Sequence, residues 1–243
     1  MSVGVALLAG AISAGAIVAK VKALEAKIGD LQTRARMDTS ADGKTRERVF
    51  DLSLLRDGVG YRALLSLVEP LEMAGTRFLI VAERGKRNRV WAYFPDLEVV
   101  RPVATKSQDD PFLGSDVTYA DLAGGAHWDD LVHRLTGEEV IDGTACYVIE
   151  GTPRHEIAYG KLTAWIAKDS FRTLKARFEG RDGKLVKEAR LSDFTELAGA
   201  PVARRIEVES HVRASRTVIS LSDIKVNQNL SPDRFTEAAL KKS

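Results

Sequence analysis

Apolar and polar residues alternate with a period of two in eleven separate runs of this chain, whereas the 3.6-residue period of a helix is sustained only near its start. Residues 31–38, 44–55, 60–68, 76–83 and 89–94 form one group of runs; 145–151, 158–167, 172–180, 185–194, 202–212 and 217–225 form the other. The connections are short, with Asp42-Gly43, Asp57-Gly58 and Arg181-Asp182-Gly183-Lys184 as hairpin signals. No helix-length segment alternates with the runs, so the pattern predicts an antiparallel sheet rather than a parallel α/β fold. The helical run, 16–28, places Ile17, Val18, Val21, Leu24 and Ile28 on one face. Between the groups, 104–137 loses the alternation, and loops with short helices at 118–123 and 127–134 are predicted there. Ser231-Pro232-Asp233 supplies the N-cap, first-turn proline and early acid of a short terminal helix.

Within the runs one row is apolar and the other charged. Phe50, Leu52 and Leu54 are set against Arg46, Arg48 and Asp51; Leu174, Ala176 and Phe178 against Lys175 and Arg177. One face is therefore wet and the other covered. Two or three short helices cannot cover eleven strands, so the sheet is expected to curl upon itself and leave a partly helix-plugged concave interior. Its interior is either an apolar ligand cavity or a packed core. The candidate lining residues are Phe50, Leu52, Leu65, Leu67, Phe78, Ile80, Trp91, Tyr93, Trp165 and Phe178. Phe112, Leu113, Gly114, Ser115 and Asp116 are the candidate lid, with Gly114 supplying an unusual backbone angle and Ser115 or Asp116 capping the helix that follows.

The chemistry of the chain is sparse. Its 36 basic and 34 acidic residues leave a formal charge of +2, too little for a protein whose main partner is a nucleic-acid backbone. The single cysteine, Cys146, excludes an intramolecular disulfide and reads as a packed side chain. His127, His133, His155 and His211 stand at no metal-ligand spacing, and Asp109, Asp110, Asp116 and Asp121 do not match a calcium loop, which assigns them to turns and caps. No nucleophile elbow, phosphate loop or dinucleotide fingerprint is present, so neither enzyme chemistry nor a cofactor is expected. The basic tip Arg84-Gly85-Lys86-Arg87-Asn88-Arg89 reads as a solvated turn, with an anionic-lipid or partner contact as the alternative.

Residues 1–19 carry no charged side chain, and Ala14-Gly15-Ala16 offers the small-x-small pattern of a signal-peptidase site. A signal peptide over 1–16 and a single domain over 17–243, exported to the periplasm, are expected.

Several segments taken in order resemble the outer-membrane lipoprotein-sorting family, the LolA-like proteins, in particular the branch associated with RND/MMPL-type exporters. They are Val90-Trp91-Ala92-Tyr93-Phe94-Pro95, Val99-Val100-Arg101-Pro102-Val103, and above all Phe112-Leu113-Gly114-Ser115-Asp116-Val117-Thr118-Tyr119-Ala120-Asp121-Leu122. Gly143 to Tyr147, Trp165-Ile166, Phe235-Thr236 and Leu240 complete the series. The resemblance implies a LolA/LolB-like incomplete antiparallel β-barrel, monomeric and without catalysis, whose apolar cavity carries acyl chains of a lipid or lipoprotein towards the outer membrane. The alternative it leaves is an accessory periplasmic subunit docking on an RND/MMPL-type inner-membrane exporter.

Overall fold

The computed structural model describes residues 12–56, 58, 60–83, 86, 88–122, 128–155 and 157–242. Most of the expected leader, residues 1–11, lies outside them, as do Arg84, Gly85 and Arg87 of the basic tip. The first element is helix α1 (Ala14–Glu25), where the Ser13 hydroxyl oxygen accepts from the Ala16 amide at 3.2 Å and Ile17, Val18 and Val21 are buried. It includes the three residues of the expected cleavage site.

Two series of strands follow. β1 (Asp30–Ala41), β2 (Lys44–Arg56), β3 (Gly60–Glu69), β4 (Arg77–Glu83), β5 (Arg89–Phe94) and β6 (Val99–Pro102) make a meander running outward from β1. After short helix α2 (Tyr119–Leu122), strands β7 (Leu131–Ile141), β8 (Thr144–Pro153), β9 (Lys161–Ala167), β10 (Thr173–Glu179), β11 (Leu185–Leu197), β12 (Ala200–Ser210) and β13 (Ser215–Val226) run back towards the centre. There β13 pairs antiparallel with β1, so the described residues form one curved open sheet in the order β6-β5-β4-β3-β2-β1-β13-β12-β11-β10-β9-β8-β7. Asp42 and Gly43 both take positive φ, 50° and 70°, the backbone that a two-residue hairpin requires.

The sheet has thirteen strands rather than eleven, and the two additional ones are its edges. β6 is four residues long, and most of β7 is exposed with a bulge between Leu135 and Gly137. Edge strands bury little and carry charges, which erases the alternation by which strands are recognised. The expected helix over 127–134 is therefore corrected: Trp128–Asp130 is a single 3-10 turn and Leu131 already belongs to β7.

Because β6 and β7 are opposite edges, the chain between them must cross from one to the other, and the described part of this crossing segment is 103–122 and 128–130. This crossing segment and α1 cover the same face, here called inner. The main core cluster joins Phe112, Val117 and Tyr119 of the crossing segment to Phe50, Leu65, Leu67, Phe78 and Ile80 of the sheet. The outer face is charged over its middle. Its β4–β5 portion is covered by the chain's C-terminal tail, where Ser231 caps the expected terminal helix, a 3-10 turn over Pro232–Phe235, and Phe235 and Leu240 bury against Leu79 and Val81.

Candidate functional site

The inner face gathers seven of the ten candidate lining residues, Phe50, Leu52, Leu65, Leu67, Phe78, Ile80 and Phe178, into one cluster. Three are corrected. Trp91 and Tyr93 face outward under the C-terminal tail, with Arg89 and Arg77 guanidinium groups 5.6 and 5.5 Å from their ring centroids, because Val90 and Ala92 take the inner positions of β5. Trp165 also faces outward, beside Cys146 and Val148; its indole N–H donates to Glu139 Oε2 at 2.8 Å and Lys175 lies 4.8 Å from its ring. Arg46 and Arg48 are corrected in the opposite sense. They share the parity of Phe50 and Leu52, and Arg48 stands opposite the buried Met37, so both belong to the inner face.

Phe112 seals the β2–β4 part of that face. It is 1% exposed, and its ring centroid is 5.7 Å from Phe50, 5.0 Å from Phe78 and 5.2 Å from Tyr119. Open space begins on the other side of the crossing segment. A cavity of about 340 Å³ lies there, lined by Val117, Ile149, Ala164, Ala176, Phe178 and Ala189 among others. Its floor is a row of small side chains: Ala164 is paired with Ala176, and Ala176 with Ala189, across three adjacent strands. Thr173 also lines a second space of about 240 Å³ beneath α1, walled by Val21, Leu24, Ile28, Leu54 and Phe194. Of the candidate lining, only Phe178 touches the larger cavity. The residues that sequence reasoning missed are the alanines, and their signal was one small residue on the apolar row of each of β9, β10 and β11.

Polar groups pin the crossing segment to the sheet. Leu113 and Gly114 adopt φ of 48° and 77°, so the left-handed backbone expected of Gly114 extends to a leucine that tolerates it poorly. Thr118 and Asp121, not Ser115 or Asp116, form the cap of α2: the Thr118 amide donates to Asp121 Oδ2 at 2.6 Å and the Asp121 amide to Thr118 Oγ1 at 3.0 Å. Asp116 is instead buried against β13, accepting from the Ser215 hydroxyl and, at 2.8 Å, from that of Thr217. Arg213 donates to the carbonyl oxygens of Ser115 and Gly114.

At the cavity wall the Lys187 ammonium pairs with Asp121, whose other oxygen accepts from the Tyr159 hydroxyl at 3.0 Å. Burial, then the Asp121 charge, pushes the Tyr159 phenol well above its ordinary range, and burial pushes Tyr61 up to about 12. Both phenols stay protonated hydrogen-bond donors. Among the described residues no group of three histidine, cysteine or acidic side chains could hold a metal ion, and burial raises the Cys146 thiol above its usual value. The arrangement offers an apolar enclosure with one ion pair in its wall.

Residues 60–242 match the model of a family described as uncharacterized-protein-like. No curated protein matches the chain. Among solved structures, a DUF1329 family protein from Desulfovibrio piger is 26% identical, with a TM-score of 0.88 over 95% of this chain and 100% of that one. A domain from Vibrio parahaemolyticus assigned to outer membrane lipoprotein sorting is 23% identical, with a TM-score of 0.86 over 93% and 98%. A LolA superfamily protein from Nitrosomonas europaea is 24% identical, with a TM-score of 0.75 over 94% and 99%. These likenesses extend along nearly the whole of each chain, and the family match covers well over half of this one. The chain therefore belongs to that uncharacterized-protein-like family, and its curved open sheet is the fold of the LolA superfamily of outer-membrane lipoprotein-sorting proteins.

Proposed function

We propose that this protein is a non-enzymatic carrier that shelters acyl chains of a lipid or lipoprotein on its inner face during passage through the periplasm. The observation that carries the reading is the 340 Å³ cavity floored by Ala164, Ala176 and Ala189, a size within the about 300–1,000 Å³ of ordinary small-molecule sites. Each methylene taken from water there contributes about 0.8 kcal/mol, which gives useful affinity without a charged recognition group. Mass spectrometry of lipid extracted from the full chain, purified without detergent, tests the proposal. Stoichiometric acyl species are expected, and a lipid-free protein that also fails to bind a fluorescent fatty-acyl probe would overturn it.

Export with processing after Ala16 belongs to the same proposal, and N-terminal sequencing of the secreted chain decides it. Among the described residues no helix is long and apolar enough to cross a membrane. Docking on an RND/MMPL-type exporter is the second reading. Leu71 and Leu97, 84% and 61% exposed on adjacent turns at one end of the sheet, are the surface it would use. Co-purification lost on replacing both leucines with serine is its test.

A further inference from the structure

Arg48 carries an unmet demand. Its Nε and Nη1 atoms are buried and have no hydrogen-bond partner among the described residues. Buried polar groups are nearly always satisfied, and one left bare is costly enough to call for a reason. Arg46, two residues earlier on the same row, is exposed and has no acidic partner among the described residues; the intervening Glu47 points to the other face and pairs with Arg36 at 2.7 Å. Burial, together with the Arg46 charge, holds the Arg48 guanidinium below its ordinary value. Two like charges thus sit side by side without compensation.

Their surroundings are the tip of the crossing segment. A Cβ on Gly114 would lie 3.8 Å from Arg46 Nη1, and Arg213 approaches the same tip, donating to the Gly114 carbonyl oxygen at 2.8 Å. Arg213 thus has two carbonyl partners, whereas Nε and Nη1 of Arg48 have none among the described residues. Asp116, 3.7 Å from Arg213, is already engaged by Ser215 and Thr217. The place therefore has an excess of positive charge and N–H donors without partners, the chemistry that takes a phosphate or carboxylate.

The register ties this place to the cavity. Arg46 pairs with Thr39, Thr39 with Thr217, and Thr217 with Val208, which lines the cavity wall. Three strand spacings separate the first from the last, about 14 Å across the sheet. We infer that Arg46 and Arg48 form an anion site for the phosphate or carboxylate head of an amphiphile whose acyl tail reaches the cavity. The inference rests on the carrier reading and narrows its cargo to anionic species.

Calorimetric titration of the delipidated full chain with 1-lauroyl lysophosphatidic acid, 1-lauroylglycerol and inorganic phosphate tests it, with circular dichroism to verify folding. The wild type should bind the phosphorylated amphiphile on the order of tenfold more tightly than the neutral one, the worth of a charge-assisted hydrogen bond. Arg48→Met should abolish that preference while leaving affinity for 1-lauroylglycerol unchanged. Arg46→Gln, at an exposed position, should reduce it and keeps the test alive if Arg48→Met does not fold. Equal affinity of the wild type for both amphiphiles, or a preference that survives in the variants, overturns the site. Inorganic phosphate binding as tightly as the phosphorylated amphiphile, with the same dependence on Arg48, overturns the head-group assignment in favour of a free-anion site. Failure of 1-lauroylglycerol to bind any variant or the wild type counts against the carrier reading instead, and the phosphate titration then judges the arginines alone.

Discussion

The Phe112 ring stands edge-on against Phe78, with centroids 5.0 Å apart and planes inclined at 76°. This contact joins the crossing segment to β4 and divides the inner face into a filled part and an open part. Phe112→Ala should accordingly lower stability by about 3–5 kcal/mol, the range for a truncated core aromatic. Denaturant unfolding of the delipidated protein measures it. Near-native stability combined with faster release of a fluorescent acyl probe would make the segment a lid in place of a plug.

Ala176 lies in the middle of the cavity floor, opposed by Ala164 and Ala189. Ala176→Leu should fill space that is open, so its cost should fall below the about 1–3 kcal/mol typical of overpacking a dense core. Affinity for an acyl probe should drop at least about tenfold, since a methyl-lined volume able to take several methylenes is removed. Unchanged probe binding would move the acyl site away from this floor.

Lys187 and Asp121 face each other with 5% and 13% of their side chains exposed. Lys187→Met leaves the carboxylate uncompensated and should destabilise the protein by about 3–5 kcal/mol, whereas Lys187→Met combined with Asp121→Leu should recover much of that loss. Chemical denaturation of the three variants checks the ordering. A double variant no better than the single one would show that the pair does not act as a unit.

Glu188 contributes to the acid limb of stability. Burial pushes its carboxyl up, but hydrogen bonds from Lys175 and Arg177 prevail and hold it below the ordinary glutamate value. A carboxyl lowered in the folded state contributes stability that is complete above its unfolded pKa, about 4.3, and lost as the pH falls through the folded one. Melting temperatures of the wild type should therefore decline below that pH, and Glu188→Gln should flatten the decline while lowering stability at neutral pH. Parallel acid limbs for the two proteins would remove Glu188 from the account.

The sheet was legible because period-two alternation is the direct trace of a strand with one covered face. It failed where that cause was missing, at β6 and β7, whose outer flanks pack against nothing in the sheet. Residue parity within β2 assigns Arg46 and Arg48 to the apolar row, yet their charge suggested the wet one. A bulge between Thr173 and Lys175 likewise turns Leu174 to the outer cluster with Trp165. The cavity was the hardest part to read. Large apolar side chains mark where a sheet is covered, and Phe50, Leu65 and Phe78 are covered by Phe112. Empty space is made by small residues in register, and the alignment of Ala164, Ala176 and Ala189 depends on strand pairings that only the folded chain supplies.

The pairing of β1 with β13 brings Leu31 opposite Val226 at the centre of the sheet. Contacts of such sequence separation form late, after every local hairpin has had time to close. During synthesis from the N-terminus, the twelve residues of β1 remain an unprotected border on one side until the last strand has emerged. A chain truncated before β13 would keep that border permanently, with the alternate apolar row of Ala35 and Met37 half uncovered. The final strand thus closes the last border of β1 to be covered.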